Sequence, residues 1–265
     1  MKQLSLFDTG QAVELTEIRR LIEAGFLFVL NHSGGKDSQA MYLRLAPLIP
    51  ARQLIVVHAI LHEVDWPGIP EHIEATVSHP VYYVAAAKSL LGMAEQRGMF
   101  PSPSYRQCTS DLKRTPIETF CRRFLHKHPA YRGRIVNCLG FRAEESPARS
   151  KLQTLTKNER NSKNGRTWYD WLPIHELTKA EVFAEIEAAG QRPHWAYQAG
   201  MSRLSCVFCI MASTADLRTA AQLKPDLYRR YAALEQRLGF TLSMSKKPLP
   251  EITGITPAPE RRQTR

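Results

Sequence analysis

The sequence predicts an α/β fold: an open, mostly parallel twisted sheet with helices on both faces, followed by a small helical C-terminal lobe. Three observations predict it. Short apolar runs alternate with longer segments of helical period, the pattern of repeated βαβ units. A glycine pair stands between the first apolar run and the next helical pattern. Beyond about residue 190 the chain carries helical patterns and no apolar run of strand type.

The elements follow in order. Residues 13–24 have apolar positions at helical spacing, and Gly25 ends them. Phe26, Leu27, Phe28, Val29 and Leu30 form a run bounded by polar residues, as a strand covered on both faces requires. Residues 37–48 read as a helix stopped by Pro50. Residues 53–60, with Leu54, Ile55, Val56 and Val57 at their heart, read as a second buried strand, and 70–77 as its crossover helix. A third strand is expected at 81–85 and a third helix at 88–97. Pro101, Ser102, Pro103 and Ser104 mark a loop. Residues 112–126 are helical, 134–141 form a fourth strand, and a polar helix starts at Glu144. Residues 151–166 are polar and basic and read as a mobile loop. A fifth strand is expected at 168–174. Residues 178–189 form a helix with Thr178 as N-cap and Glu181 at the capping-box position. Helices follow at 215–223 and 225–238. The Pro-rich, basic tail from Ser243 reads as loosely ordered. This divides the chain into an α/β domain at 1–190, a helical Cys-containing lobe at 191–242 and a basic tail at 243–265.

With 265 residues, 43% of them hydrophobic, a sizeable core forms and global disorder is excluded. No apolar run is long enough to span a bilayer, so no membrane partner is expected. Residues 1–5 lack the apolar stretch of a signal peptide, which makes the cytoplasm the expected location. The net charge of +11 points to a polyanion: a nucleotide, a nucleic acid or a ribonucleoprotein partner. A basic surface that is merely solvated is the alternative. The oligomeric state is left open. Five cysteines, an odd number, argue against a disulfide framework and leave metal ligation, a reactive thiol or burial.

Ser33, Gly34, Gly35, Lys36, Asp37 and Ser38 join a buried strand to a helix. The glycines let the backbone approach a phosphate, and the amides at the helix start favour an anion there. Ser33 and Ser38 add hydroxyls, and Lys36 adds a compact positive charge. The spacing is neither that of a Walker A loop nor of a dinucleotide fingerprint.

This hexapeptide resembles the PP-loop of the ATP pyrophosphatase (adenine nucleotide alpha hydrolase) superfamily. The resemblance extends to its PAPS reductase-like (phosphoadenosine phosphosulfate reductase) members. His58 and Ala59, followed by Asp65, Trp66, Pro67 and Gly68, are similar to the family's second strand end and the loop near the nucleotide. The stretch from Cys108 to Pro116 is similar to a further family segment. Gly140, Arg142, Glu145, Ser146 and Arg149 match the family's arginine block, and Cys206 with Cys209 stands at its late C-x-x-C position. Together these cover most of residues 26–210. The resemblance implies a Rossmann-like fold that binds Mg2+ and ATP and cleaves it to AMP and pyrophosphate, adenylating a second substrate. Ser33 to Ser38, His58, Arg142, Glu145 and Arg149 would contact the nucleotide, with Lys36 and Asp37 as catalytic groups. Lys36 would stabilise the departing pyrophosphate; Asp37 would orient Mg2+ or cap the helix. Glu145 would hold an arginine or ligate Mg2+ through water.

The spacing of Cys206 and Cys209 suits either one metal ion or thiol redox chemistry. The resemblance makes Cys108 a third ligand. Members that carry an iron–sulfur cluster usually have a Cys pair there, whereas Gln107 precedes Cys108 here. Three outcomes follow: a 4Fe-4S cluster on three cysteines, a set completed by His194, or Zn2+ or no metal. Cys121 and Cys138 read as core. Relatives by pattern occur on phages, in DNA-phosphorothioation systems and beside CRISPR loci, which would suit sulfur transfer or nucleic-acid modification. Two further function classes stay open. One is a sulfonucleotide reductase, although no cysteine follows Cys209 to serve as its nucleophile. The other is a nucleic-acid-binding accessory protein that senses nucleotide.

Overall fold

The computed structural model describes the backbone of residues 6–257 and the side chains of residues 14–257. Residues 1–5 and the basic end of the tail at 258–265 lie outside the described residues. Six strands form one sheet: β1 (Leu27–Asn31), β2 (Leu54–Ile60), β3 (Val81–Ala85), β4 (Arg134–Cys138), β5 (Leu155–Lys157) and β6 (Thr167–Trp171). Their order is β3-β2-β1-β4-β6-β5. β1 lies parallel to β2 and β4, and β4 lies parallel to β6. β5 is registered antiparallel to β6. The expected α/β fold is therefore present. Leu27, Phe28, Val29 and Leu30 have no exposed surface, as the continuous apolar run demands at the sheet centre. The direction of strand order reverses between β1 and β4, which is where open sheets of this kind hold ligands.

The chain forms two compact units. The first comprises Met1–His58, Pro70–Tyr83 and Glu118–Pro193; the second comprises Ala59–Ile69, Val84–Ile117 and His194–Arg265. The second unit thus draws on two segments before residue 190 as well as on the C-terminal region. Its helices include Leu90–Arg97, Thr214–Leu223, Pro225–Leu238 and Leu249–Thr253.

Two expectations need correction. Residues 151–166 are not a structureless loop, because Leu155↔Trp171, Thr156↔Asp170 and Lys157↔Tyr169 pair as a hairpin. The tail is not loosely ordered throughout. Leu249 and Thr253 are buried, Tyr228 Oη lies 2.7 Å from Thr253 Oγ1, and Glu235 accepts the Leu242 and Leu249 amides at 2.7 Å each. Other boundaries shift by a few residues. The helix expected from 112 runs Thr115–Lys127 after a wider π-type turn at Ser110–Arg114. β4 ends at Cys138 rather than 141, and the strand expected at 168–174 ends at Trp171. No helix among the described residues is long and apolar enough to cross a membrane.

Candidate functional site

The loop after β1 is held by its own side chains. Gly34 has φ 78°, a conformation open to glycine at no steric cost. Ser33 donates its amide to Ser38 Oγ at 3.1 Å, and Ser38 Oγ donates to Gly35 O at 2.9 Å. The Gly34 amide donates to His32 Nδ1 at 3.1 Å, and the Gly35 amide reaches Ser33 Oγ at 3.4 Å. The helix Lys36–Leu45 then begins with Lys36 and Ser38 buried, and no side chain caps it. Its first turn keeps the partial positive charge of unpaired amides.

Burial drives the His32 pKa down to about 3, and the neighbouring His58 and His72 push it the same way. The ring is therefore neutral, which is what lets Nδ1 accept the Gly34 amide. His58 donates from Nδ1 to the His32 carbonyl at 2.7 Å, so it braces the loop from behind.

A chain of charges crosses the end of β1 and β4. Lys36 Nζ lies 2.7 Å from Asp37 Oδ2, and Arg142 Nε lies 2.7 Å from Asp37 Oδ1. Arg142 also donates to Glu144 Oε2 at 2.6 Å and to the Leu177 carbonyl at 3.2 Å. Glu145 accepts the Arg142 amide at 3.0 Å and pairs with Arg149. The Arg149 guanidinium stands 4.2 Å over the Phe141 ring. Burial lowers the Lys36 pKa, against the pull of Asp37. Burial also opposes the charge on Arg142, but Asp37 and Glu144 outweigh it and raise its pKa. The Arg142 hydrogen bond and the Lys179 amide hold the Glu144 carboxyl below the usual carboxylate range. The structure thus brings Lys36, Asp37, Arg142, Glu145 and Arg149 into one linked network beside the loop.

Three further contributors join this network and were not singled out in the sequence. Glu144 joins Arg142 to the Lys179 amide, which it accepts at 2.7 Å, at the start of the helix Lys179–Ala188. His32 holds the loop. A polar ladder runs beneath: Asn31 donates to Asn137 at 2.6 Å, and Asn137 donates to Asp170 at 2.7 Å. Only His32 had a local signal, as a histidine directly before a tight turn.

Cys108, Cys206, Cys209 and His194 lie in the second unit. Cys206 is buried, and its interaction with Cys209 drops the Cys209 pKa to about 5 and raises that of Cys206. Burial, then the Cys209 charge, raise the Cys108 pKa. His194 Nδ1 accepts the Ala196 amide at 3.3 Å, and Nε2 faces the Pro67 carbonyl at 3.2 Å. Among the described residues no three His, Cys, Asp or Glu side chains are grouped to hold a metal ion. Cys108, Cys206 and Cys209 act on one another's charge, whereas the His194 ring is engaged by the Pro67 carbonyl and the Ala196 amide. Cys121 and Cys138 are buried, as expected.

Residues 28–212 match the family described as the phosphoadenosine phosphosulfate reductase domain. A 37.8 kDa protein in the gpa 5′ region of Escherichia phage 186 is 30% identical over 147 residues, covering 55% of this chain and 42% of that protein. The match thus spans under half of that relative. Among solved structures, an FMN adenylyltransferase of Candida glabrata in complex with FAD and inorganic pyrophosphate is 15% identical. It covers 72% of this chain and 64% of that one, with a TM-score of 0.46. A phosphoadenylyl-sulfate (PAPS) reductase of Candida auris, in a phosphate complex, is 14% identical. It covers 78% and 96% of the two chains, with a TM-score of 0.47.

Proposed function

Given that the chain belongs to the phosphoadenosine phosphosulfate reductase domain family, we propose that its first unit binds ATP on residues 33–38 and cleaves it to AMP and pyrophosphate. One observation carries the reading. A left-handed Gly34 opens the backbone between the central strand and an uncapped helix start, and a buried lysine stands at that same point. Such a place offers amide donors and a fixed cation to a polyphosphate.

The reaction is an adenylyl transfer. An oxygen of the second substrate bonds to the α phosphorus, and the bond to the α–β bridging oxygen breaks. The electron pair leaves with pyrophosphate, where Lys36 meets the growing charge. Arg142 and Arg149 suit bidentate contact with phosphate oxygens. Asp37 and Glu145 are the carboxylates that would take Mg2+, which would supply charge neutralisation on the phosphates. A role in sulfur transfer or nucleic-acid modification would lie in the choice of second substrate.

The test is to incubate the protein with ATP labelled at the α phosphate, separate the labelled products and assay pyrophosphate alongside. Label in AMP or an adenylate, together with pyrophosphate, supports the proposal; ADP as the sole product overturns it. A second reading, sulfonucleotide reduction, draws on the low pKa of Cys209. It predicts sulfite release from a sulfonucleotide that is lost on Cys209→Ser.

A further inference from the structure

The basic residues at 151–166 do not form one arm. β5 runs back along β6, so Lys151 stays near the carboxyl ends of the strands, close in sequence to Arg149, while the hairpin turn lies at the amino ends. There Thr167 donates to the Gly133 carbonyl at 3.0 Å, and Arg134 pairs in register with Thr167. A Cβ on Gly133 would sit 2.8 Å from the Gly165 carbonyl, so the two turns touch backbone to backbone. Arg122 reaches Asn161 at 3.3 Å, and Arg160 pairs with Glu118, which fastens the hairpin along the helix Thr115–Lys127.

These contacts gather Arg123, Lys127, Arg132, Arg160, Lys163 and Arg166 onto one rim. Arg123, Lys127, Arg132 and Lys163 are exposed. The nearby carboxylates do not offset them. Glu118 is buried and already engaged by Arg122 and Arg160, and Glu159 pairs with Lys157. Among the described residues no ion pair involves Arg123, Lys127, Arg132, Lys163 or Arg166. Like charges held this close repel one another, and a row of phosphates removes that repulsion while releasing counterions.

We propose that this rim is a docking surface for the phosphate backbone of duplex nucleic acid. The rings nearby argue for a duplex over a single strand. His128 stacks on Phe124 at 4.0 Å, and Tyr131 packs near Phe124 with its hydroxyl on the Arg52 carbonyl at 2.5 Å. Phe124 takes one face of the exposed His128 ring and a main-chain carbonyl ties the Tyr131 hydroxyl, so the rings are not laid out as a stacking platform and the rim offers chiefly charge. The strands are parallel, so the rim stands about 15 Å from the loop after β1, one strand length away. It captures a partner and takes no part in nucleotide chemistry, and it stands whether or not the ATP reading does.

The experiment measures binding of the full chain to a random-sequence DNA duplex by fluorescence anisotropy across a salt series. The wild type binds with a linear fall of log affinity against log salt. Arg123→Glu, Lys127→Glu and Lys163→Glu together weaken binding at least about tenfold and flatten the slope by about 3 units. The matching triple Gln variant flattens the slope equally and guards against misfolding of the first. Release of pyrophosphate from ATP, measured without DNA, stays unchanged in both. No binding by wild type at low salt, an unchanged slope in both variants, or tighter binding to single strands or polyglutamate each overturns the proposal.

Discussion

The two ends of the sheet hold positive charge in opposite ways. At the carboxyl ends Lys36 is 4% and Arg142 is 5% exposed, and both lean on Asp37. At the amino ends Arg123, Lys127, Arg132 and Lys163 face solvent, outside every ion pair among the described residues. A buried cation must be paired, because desolvating an isolated charge costs several kcal/mol. Once paired and fixed, it acts on charge that develops beside it without reorganising. An exposed cation costs little to keep unpaired, acts over a Debye length and is screened by salt. The first arrangement suits chemistry and the second suits capture.

The sharpest way to break this contrast is to remove one cation from each end. Lys36→Ala should lower the rate of pyrophosphate release by about 100- to 1000-fold, the usual loss when one preorganised charge-stabilising donor is removed. Lys127→Ala should leave that rate within about twofold, as surface changes away from a site do. If Lys36→Ala only raises KM, the buried cation is a binding group and the contrast loses its catalytic half.

The next test is acidity at the carboxyl end. Folded His32 stays neutral down to about 3, whereas the unfolded chain binds a proton below 6.5. Between those values the unfolded state holds more protons, so stability falls as pH falls through that window. The slope from this group is at most about 1.4 kcal/mol per pH unit. His32→Asn keeps an acceptor for the Gly34 amide and removes the titration. Urea midpoints for wild type and variant should diverge below pH 6.5, with wild type losing stability faster. Parallel curves would mean that His32 is not held neutral by burial.

How much of this contrast was legible in the sequence depends on how local each cause is. The helix at residues 225–238 and the Thr178–Glu181 capping box are written in consecutive residues, and both stand as expected, with Glu181 accepting the Thr178 amide at 2.7 Å. The order of Ser33 to Ser38 after an apolar run placed the loop on the central strand. The hairpin at 155–171 was not legible, because only three residues of β5 pair and none is fully buried to leave an apolar mark. The short helix Leu249–Thr253 is too brief to show a period. The bond from Arg142 to Asp37 joins residues 105 apart, and nothing in either neighbourhood announces it. The cysteines follow the same rule: sequence spacing brought Cys206 and Cys209 together but carried no information on His194, whose ring is engaged by Pro67 and Ala196.

At the amino end, the touching turns can be pried apart. Gly133→Ala places a methyl 2.8 Å from the Gly165 carbonyl at a φ of 69°. Neither neighbour is a flexible side chain, so a cost of about 2 kcal/mol or more is expected in the urea midpoint. Gly165→Ala has open space and bears only the left-handed strain, about 1 kcal/mol. Only Gly133→Ala should also weaken duplex binding, since it alone displaces the turn that carries Lys163. Equal effects of the two would detach the rim from the Gly133 contact.

The smallest effect expected tests how Arg142 is held. Glu144 accepts the Lys179 amide at 2.7 Å while it takes Arg142 Nη1 at 2.6 Å, so the helix start and the arginine share one carboxylate. Thr178 caps the same helix by accepting the Glu181 amide at 3.2 Å. Thr178→Ala removes that cap at a cost of about 1 kcal/mol in stability. The Lys179 amide keeps Glu144 whatever happens to the Glu181 amide, and Asp37 still holds Arg142 Nε at 2.7 Å. Pyrophosphate release should therefore change by less than about twofold, since capping contributes through the helix and not through the arginine. A tenfold fall in rate with only 1 kcal/mol of lost stability would mean that the helix start, and not Asp37, sets where Arg142 points.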